Sequence, residues 1–184
     1  MKSSRIAFVH YPHHAHSARL ETMSFAANTI NRLAAAGWNV DVFLWEQPSI
    51  HYSELFLSCV RMRHQTAPSM GRIAHVQLAG AFMMKVGYAC VFALGQIGSY
   101  VGGILSTASR CPLVLLNDEF PSAWEVSRWT QLEKWAGSRA SAIIVPSAER
   151  AEPLAKELSV RPDMSFVEIR NTPVKICKSQ TPDG

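Results

Sequence analysis

The feature that most constrains this chain is the alternation between short apolar runs rich in β-branched residues and longer stretches with helical spacing. The first run is Arg5–His10, and residues 20–36 follow with apolar side chains at every third or fourth position. Gly37 stands where a glycine ends a helix, and a second apolar run covers residues 39–45. A strand, a helix and a strand in this order predict a parallel βαβ unit with a right-handed crossover.

The same alternation continues along the chain. We predict further strands at residues 55–60, 88–94, 112–116, 142–146 and 166–169, and further helices at residues 73–85, 96–109, 124–140 and 147–158. Strands that alternate with helices form a mostly parallel sheet with helices on both faces. The sequence therefore predicts an α/β fold: a doubly wound, mostly parallel, seven-stranded Rossmann-like sheet. A length of 184 residues fits one such domain.

Charge and cysteine usage limit the classes of partner. The net charge is +4, but the Lys and Arg residues are scattered, so we expect no nucleic-acid binding. The four cysteines are far apart and form no CxxC pair, which predicts a reducing, cytoplasmic location. The N-terminus shows no signal-peptide pattern. Residues 86–105 carry no charge and place Gly98 and Gly102 at GxxxG spacing, which leaves a transmembrane helix open as an alternative.

An ordered set of short motifs occupies the second half of the chain. These are NDEF (117–120), LEKWA (132–136), SAIIVPS (141–147) and VEIRN (167–171), and the segment AAAGWNVDV (34–42) precedes them. In this order they resemble the N-terminal domain of retaining GT-B glycosyltransferases of the family-four type. The resemblance extends over roughly the whole chain, although each motif alone recurs in other Rossmann-like proteins.

The resemblance implies an acceptor-binding domain over residues 1–174, with residues 175–184 as a linker toward a donor-binding domain. In such enzymes the second domain holds the nucleotide-sugar. The chain would then bind a sugar or lipid-linked acceptor, with peripheral contact at the inner face of a membrane, and would need a longer chain or a partner subunit for activity. No cofactor is implied. The alternative is a non-enzymatic Rossmann-like module that binds a nucleotide, a phosphate or a protein partner.

The loop after the first strand carries a cluster of imidazoles with an arginine behind them. Its members are His10, His13, His14, His16 and Arg19. They could bind a sugar hydroxyl, a phosphate or a metal ion, and they are equally consistent with a solvated His-rich loop. No carboxylate or cysteine supports them at ligand spacing, so we predict no resident metal. The loop also lacks the glycine pair with which the resembled enzymes approach the donor diphosphate.

Two further positions follow strands, where ligands bind in open α/β sheets. Asp118 and Glu119 follow the fifth strand, where a carboxylate could orient an acceptor hydroxyl or act as a base. A turn cap before Pro121 is the other interpretation of Asp118. Ser147 and Arg150 follow the sixth strand at a helix N-terminus, a natural anion site, although Ser147 could also simply cap the helix.

The predicted helix over residues 124–140 carries residues of two kinds. Glu133 stands beside Lys134, which predicts a solvated helix face. Trp124, Trp129 and Trp135 recur at helical spacing, which favours core packing over a platform for a sugar ring.

Overall fold

The structure is a computed structural model that describes residues 5–11, 24–44, 56–63, 72–117 and 128–170. Its strands are β1 (Arg5–His10), β2 (Asn39–Leu44), β3 (Val60–Arg63), β4 (Cys90–Leu94), β5 (Leu113–Leu116), β6 (Ala142–Val145) and β7 (Ser165–Glu168). Its helices are α1 (Ser24–Ala35), α2 (Arg72–Val86), α3 (Gln96–Ser109), α4 (Arg128–Gly137) and α5 (Ala151–Leu158), with a 3₁₀ turn at Ala148–Arg150 before α5.

The strands form one sheet in the order β3-β2-β1-β4-β5-β6-β7. All six neighbouring pairs are parallel. The chain winds outward from β1 through β2 to β3, and then returns to the other side of β1 and continues from β4 to β7. The direction of winding therefore reverses between β1 and β4, which is the topological switch point of a doubly wound sheet. The predicted fold class is confirmed.

Apolar side chains are buried on both faces of the sheet. On one face α2, α3, α4 and α5 contribute residues such as Met83, Leu105 and Leu158 to one core cluster. On the other face α1 contributes Phe25 and Ile30 to a second cluster. Strands that are covered on both faces are apolar along most of their length, which explains why β1 and β4 appear in the sequence as continuous apolar runs.

Helix α3 lies unusually close to the sheet at positions where its residues are small. A Cβ added at Gly102 would lie 2.5 Å from the Cβ of Ala93 in β4, closer than two carbon atoms can approach. The apolar stretch 86–105 therefore divides between the last residue of α2, strand β4 and most of α3. Within the described ranges no helix is long and apolar enough to cross a membrane. The transmembrane alternative for residues 86–105 is wrong.

The end of α1 follows the prediction from Gly37. This glycine has a φ of +88°, and its backbone N–H donates to the Ala34 carbonyl at 3.0 Å. The next N–H, of Trp38, donates to the Leu33 carbonyl at 3.1 Å, which completes a Schellman motif. Because the left-handed conformation costs little only for glycine, the residue type sets the point at which α1 ends.

The prediction for the third strand is wrong by about five residues. Residues 58 and 59 form a turn, and the strand begins only at Val60. Phe56 is buried in the core, whereas Leu57 is 41% exposed. The observed strand, VRMR, was missed because it lies at the edge of the sheet, where alternate positions are polar and carry a charge. Strand β7 begins and ends one residue earlier than predicted.

One buried carboxylate joins four segments near the N-terminal edge of the sheet. Asp41 of β2 is 1% exposed. It accepts hydrogen bonds from Arg5 Nη1 at 3.1 Å, from Arg63 Nε at 3.0 Å and from the Tyr88 hydroxyl at 2.7 Å. These donors come from β1, from β3 and from the segment that leads into β4. We call these four residues the Asp41 cluster, and it fixes the relative positions of the first four strands.

Candidate functional site

The topological switch point lies where β1 and β4 end. Gly95, with a φ of 73°, turns the chain from β4 into α3 within a single residue. The first turn of α3 packs on the end of β1, because a Cβ added at Gly98 would lie 3.3 Å from the Val9 carbonyl oxygen and 3.5 Å from the Tyr11 nitrogen. The N-terminus of α3, with the positive end of its dipole, therefore lies at the switch point. Sequence reasoning missed this feature, although Gly95 and Gly98 signalled it.

His10, the last residue of β1, is 6% exposed. It follows Ile6 and Phe8 on the face that α1 covers, because side chains alternate along a strand. His10 is therefore a buried residue at the end of a strand, not part of a solvated loop. The other residues of the predicted imidazole cluster, His13, His14, His16 and Arg19, lie outside the described residues. Tyr11, the next residue after His10, is also buried, and burial raises its pKa.

The end of β5 lies beside the end of β4. Asn117 directly follows β5, and its backbone N–H donates to the Ile144 carbonyl of β6 at 3.0 Å. This hydrogen bond holds the last described residue before Asp118 at the C-terminal edge of the sheet. Asp118 and Glu119 themselves lie outside the described residues.

The end of β6 leads directly into a 3₁₀ turn. Ser147 is extended, with φ −151° and ψ 148°, and it occupies the N-cap position of this turn. Its side chain makes no capping hydrogen bond, and the turn is closed by the Arg150 N–H donating to the Ser147 carbonyl at 3.2 Å. Helix α5 begins after this turn, at Ala151, with Arg150 at its own N-cap position. The side-chain cap that Ser147 could have supplied is therefore not formed, and both residues are half-buried beyond the end of β6.

The order of the strands determines which of these groups can act together. From β1 to β6 there are three strand spacings, or about 14 Å at roughly 4.8 Å each. His10 and Ser147 are thus too far apart to bind one small group, but the row of strand ends between them has about the length of a disaccharide. Within the described ranges no three His, Cys, Asp or Glu side chains could hold a metal ion together.

Two predictions for α4 have opposite outcomes. Glu133 is 3% exposed, so the predicted solvated helix face is wrong. Burial raises the pKa of Glu133 to about 7, and the nearby charge of Glu157 in α5 adds to this effect. Trp135 packs against the core, with its ring 5.5 Å from that of Tyr100 and against Gly103 in α3, so the predicted core role is confirmed for this residue. Trp124 and the side chain of Trp129 lie outside what the structure describes.

No protein-family model matches the chain, and no curated protein matches it. Solved structures do match, and GT-B glycosyltransferases are among them. HepE from Anabaena, solved in complex with UDP, has a TM-score of 0.62 at 21% identity, over 93% of this chain and 44% of HepE. Sucrose-phosphate synthase from Thermosynechococcus elongatus has a TM-score of 0.63 at 19% identity, over 90% of this chain and 47% of the synthase.

An enzyme of another class also shares the fold. UDP-N-acetylglucosamine 2-epimerase from Rickettsia bellii has a TM-score of 0.58 at 10% identity, over 88% of this chain and 43% of the epimerase. The chain spans less than half the length of these three proteins. At such identities the likeness concerns the fold, which is that of one half-domain of a GT-B glycosyltransferase.

Proposed function

We propose that this chain is the acceptor-binding half of a glycosyltransferase that transfers a hexose from a nucleotide-sugar to a glycan, a lipid-linked sugar or a small-molecule acceptor. The proposal is carried by the fold, a parallel sheet with the strand order β3-β2-β1-β4-β5-β6-β7. About nine-tenths of the chain superposes on less than half of HepE and on less than half of sucrose-phosphate synthase. HepE was solved with UDP and with UDP-glucose, which supports a nucleotide-sugar as the donor class for this chain.

The acceptor would lie along the ends of β1, β4, β5 and β6. Asp118 and Glu119 follow the end of β5, near the middle of this row, and we assign them to orienting or deprotonating the acceptor hydroxyl. Ser147 and Arg150 follow the end of β6. A hydroxyl that makes no capping hydrogen bond, a guanidinium and the start of α5 form a combination suited to an anionic or hydroxyl-rich group of the substrate.

The remaining assignments concern the end of β1. We assign His13, His14, His16 and Arg19 to the other end of the acceptor, about three strand spacings from Ser147. His10 is buried at the end of β1, so we assign it a structural role: its packing on the face that α1 covers holds the point at which this loop begins. The N-terminus of α3 lies between the two ends of the row and can face a substrate oxygen that carries negative charge.

We also propose that residues 1–174 form the domain and that residues 175–184 connect it to a donor-binding domain, in the same chain or in a partner subunit. Helix α2 exposes Leu78 by 55% and Met84 by 59%. Two large apolar side chains exposed on the outer side of one helix, with Lys85 beside them, support peripheral contact of a cytoplasmic protein with a membrane that carries a lipid-linked acceptor.

The first test is the intact mass of the natural gene product, measured by mass spectrometry on protein from its native source. A mass near twice the 20.4 kDa of this chain identifies one half of a complete enzyme. That full-length protein is then incubated with UDP-glucose and a panel of sugar acceptors, and products are identified by mass spectrometry and NMR. We expect a new glycosidic bond. An epimerised nucleotide-sugar without transfer would contradict the proposal and favour the chemistry of the epimerase neighbour.

The second test uses the 184-residue chain alone. We expect it to bind an acceptor, detected by saturation-transfer NMR, but to show no transferase turnover. Ser147→Ala and Arg150→Ala should each weaken acceptor binding about 5- to 30-fold, the loss of one or two hydrogen bonds. Arg32→Ala is the matched control, since it removes an exposed charge in the last turn of α1, at the other end of the sheet. Turnover by the chain alone would contradict the need for a donor domain.

A non-enzymatic module is the second candidate, and the position of α3 favours it. A helix N-terminus at the switch point can bind a phosphate without help from a second domain. Saturable binding of UDP or inorganic phosphate by this chain, with no transfer by the full-length protein, would support this alternative.

A further inference from the structure

One buried acidic group has no function in the proposed site. Glu133 lies in the middle of α4, is 3% exposed, and has its Oε2 atom buried without a hydrogen-bond partner. An ionised carboxylate in this position would lose its hydration and receive no hydrogen bond at that oxygen in return. The protonation state of Glu133 therefore determines whether a charged carboxylate or a neutral carboxylic acid is buried between the helices.

The helices packed against α4 supply no compensating cation. Helix α3 contributes Tyr100 as its only ionisable side chain, and that ring lies against Trp135. Helix α5 contributes Glu157, whose negative charge acts against the ionisation of Glu133. The other two ionisable residues of α5, Lys156 and Glu152, pair with each other at 3.1 Å and are about four-fifths exposed.

The cations near the C-terminal half of α4 do not pair with Glu133 either. The Arg139 guanidinium stacks over the Trp135 ring at 4.3 Å from its centroid. Lys134 is the neighbour of Glu133 in sequence, so on a helix it points about 100° away. Among the described residues, no salt bridge involves Glu133.

The contact between α4 and α5 is tight one turn beyond Glu133. A Cβ added at Gly137 would lie 3.1 Å from the Leu158 Cβ and 3.2 Å from its carbonyl oxygen. Glu133 precedes Gly137 by four residues and so lies on the same side of α4. Separation of the two helices at this contact would let water reach an ionised Glu133 from the side of α5.

We propose that the α4–α5 contact is a proton-controlled clamp, closed when Glu133 is protonated and opened when Glu133 and Glu157 both carry a negative charge. Helix α5 begins directly after the 3₁₀ turn that contains Arg150 and has Ser147 at its N-cap position. Opening the clamp would move these residues relative to the strand ends, so ligand binding would become weaker as the pH rises. This last consequence rests on the proposed function, whereas the clamp itself does not.

The direction of the pH effect follows from the two pKa values. Burial, with the charge of Glu157 as the smaller cause, raises the pKa of Glu133 from 4.5 to about 7 in the folded chain. Between these two pH values the folded state therefore binds more protons than the unfolded state. The stability that the protonated Glu133 contributes is fully present below about pH 4.5, and it is lost as the pH rises through about 7. The shift corresponds to a change on the order of 100-fold in the unfolding equilibrium.

Urea unfolding of the wild-type chain and three variants at pH 5 and pH 8 tests the clamp. Glu133→Gln has nearly the shape of the protonated acid and cannot ionise, so we expect its unfolding equilibrium to lose most of the roughly 100-fold pH dependence of the wild type. Glu157→Gln removes only the smaller cause of the raised pKa of Glu133, so the pH dependence of its unfolding equilibrium should fall less than that of Glu133→Gln. Glu152→Gln, an exposed position on the same helix, should match the wild type.

Hydrogen exchange on the wild-type chain needs no variant and no ligand, so it tests the clamp even if Glu133→Gln does not fold or the proposed function fails. After correction for the intrinsic pH dependence of exchange, amides of residues 131–137 and 154–158 should lose at least about 10-fold in protection between pH 6 and pH 8, relative to amides of β1 and β2. Equal changes in both groups, or a Glu133→Gln variant with the pH dependence of the wild type, would overturn the proposal.

Discussion

The Asp41 cluster makes the strongest prediction about stability. Asp41→Asn preserves the size of the side chain but removes the charge that faces two guanidinium groups and the Tyr88 hydroxyl. An asparagine has one carbonyl oxygen and an NH₂ group in place of two equivalent acceptors, so at least one of the three donors must lose its acceptor. We expect the chain to fold with the same topology and with lower stability.

The magnitude follows from the burial of each partner. Removing one member of a fully buried ion pair costs about 3–5 kcal/mol, because the remaining charge is left without a partner. The side chains of Arg5 and Arg63 retain 26% and 36% of their exposure, so water can solvate them after the substitution, and we expect a loss of about 2–3 kcal/mol. Tyr88→Phe removes one hydrogen bond to a charged acceptor and should cost about 1.5–2 kcal/mol.

The assay is urea denaturation followed by circular dichroism for the wild type, both single variants and the double variant. Because Tyr88 donates directly to Asp41, the two effects should not add: we expect a coupling of about 1 kcal/mol or more. An unchanged m-value would show that the denatured states are comparable. The reasoning is refuted if Asp41→Asn costs less than about 1 kcal/mol, or if Tyr88→Phe costs as much in the Asp41→Asn variant as in the wild type.

Substitutions at three glycines test the backbone of the fold. Gly102→Ala would place a Cβ 2.5 Å from that of Ala93 and should lower stability by about 2–3 kcal/mol. At Gly80 the nearest atom to an added Cβ lies at 3.5 Å, so Gly80→Ala should leave stability unchanged or raise it by up to about 1 kcal/mol in the same denaturation assay. Gly37→Ala meets no atom within 4 Å, so its cost of about 1 kcal/mol should come only from the φ of +88°, and Gly37→Asn should recover part of it. These assignments would be contradicted if Gly37→Asn were no more stable than Gly37→Ala, or if Gly102→Ala left the stability unchanged.

Where local pattern and burial agree, the sequence was sufficient to predict the fold. Strand β1 and helix α3 have the predicted bounds, since one is a largely apolar run and the other begins directly after Gly95 and ends three residues before Pro112. Gly37 marked the end of α1 because the left-handed residue of a Schellman motif is usually glycine. Strand β3 was misplaced because an edge strand needs little hydrophobicity, and because Arg63 is stabilised by Asp41, a partner 22 residues away in the chain.

The candidate site was less predictable because it is built from long-range neighbours. The sequence identified Ser147 and Arg150 as residues that follow a strand, but only the sheet order shows that they lie three strands from His10. Burial of His10 and Glu133 was also missed, since a polar residue in a plausible loop or helix gives no local signal of what covers it. In both cases the missing information was tertiary packing, not propensity.

Stability and the proposed function are concentrated at opposite ends of the strands. The Asp41 cluster satisfies its charges internally, with Arg5 at the start of β1, Asp41 two residues after the start of β2 and Arg63 at the end of the short edge strand β3. At the C-terminal edge the described groups are a helix N-terminus set close by Gly98 and a serine that caps nothing. A helix N-terminus and a hydroxyl that is not used as a cap, placed where ligands bind, are the expected features of a site that must accept a substrate. Because Asp41 precedes the end of β2 by three residues, or about 10 Å, Asp41→Asn should lower stability and leave acceptor affinity unchanged in the part of the chain that remains folded.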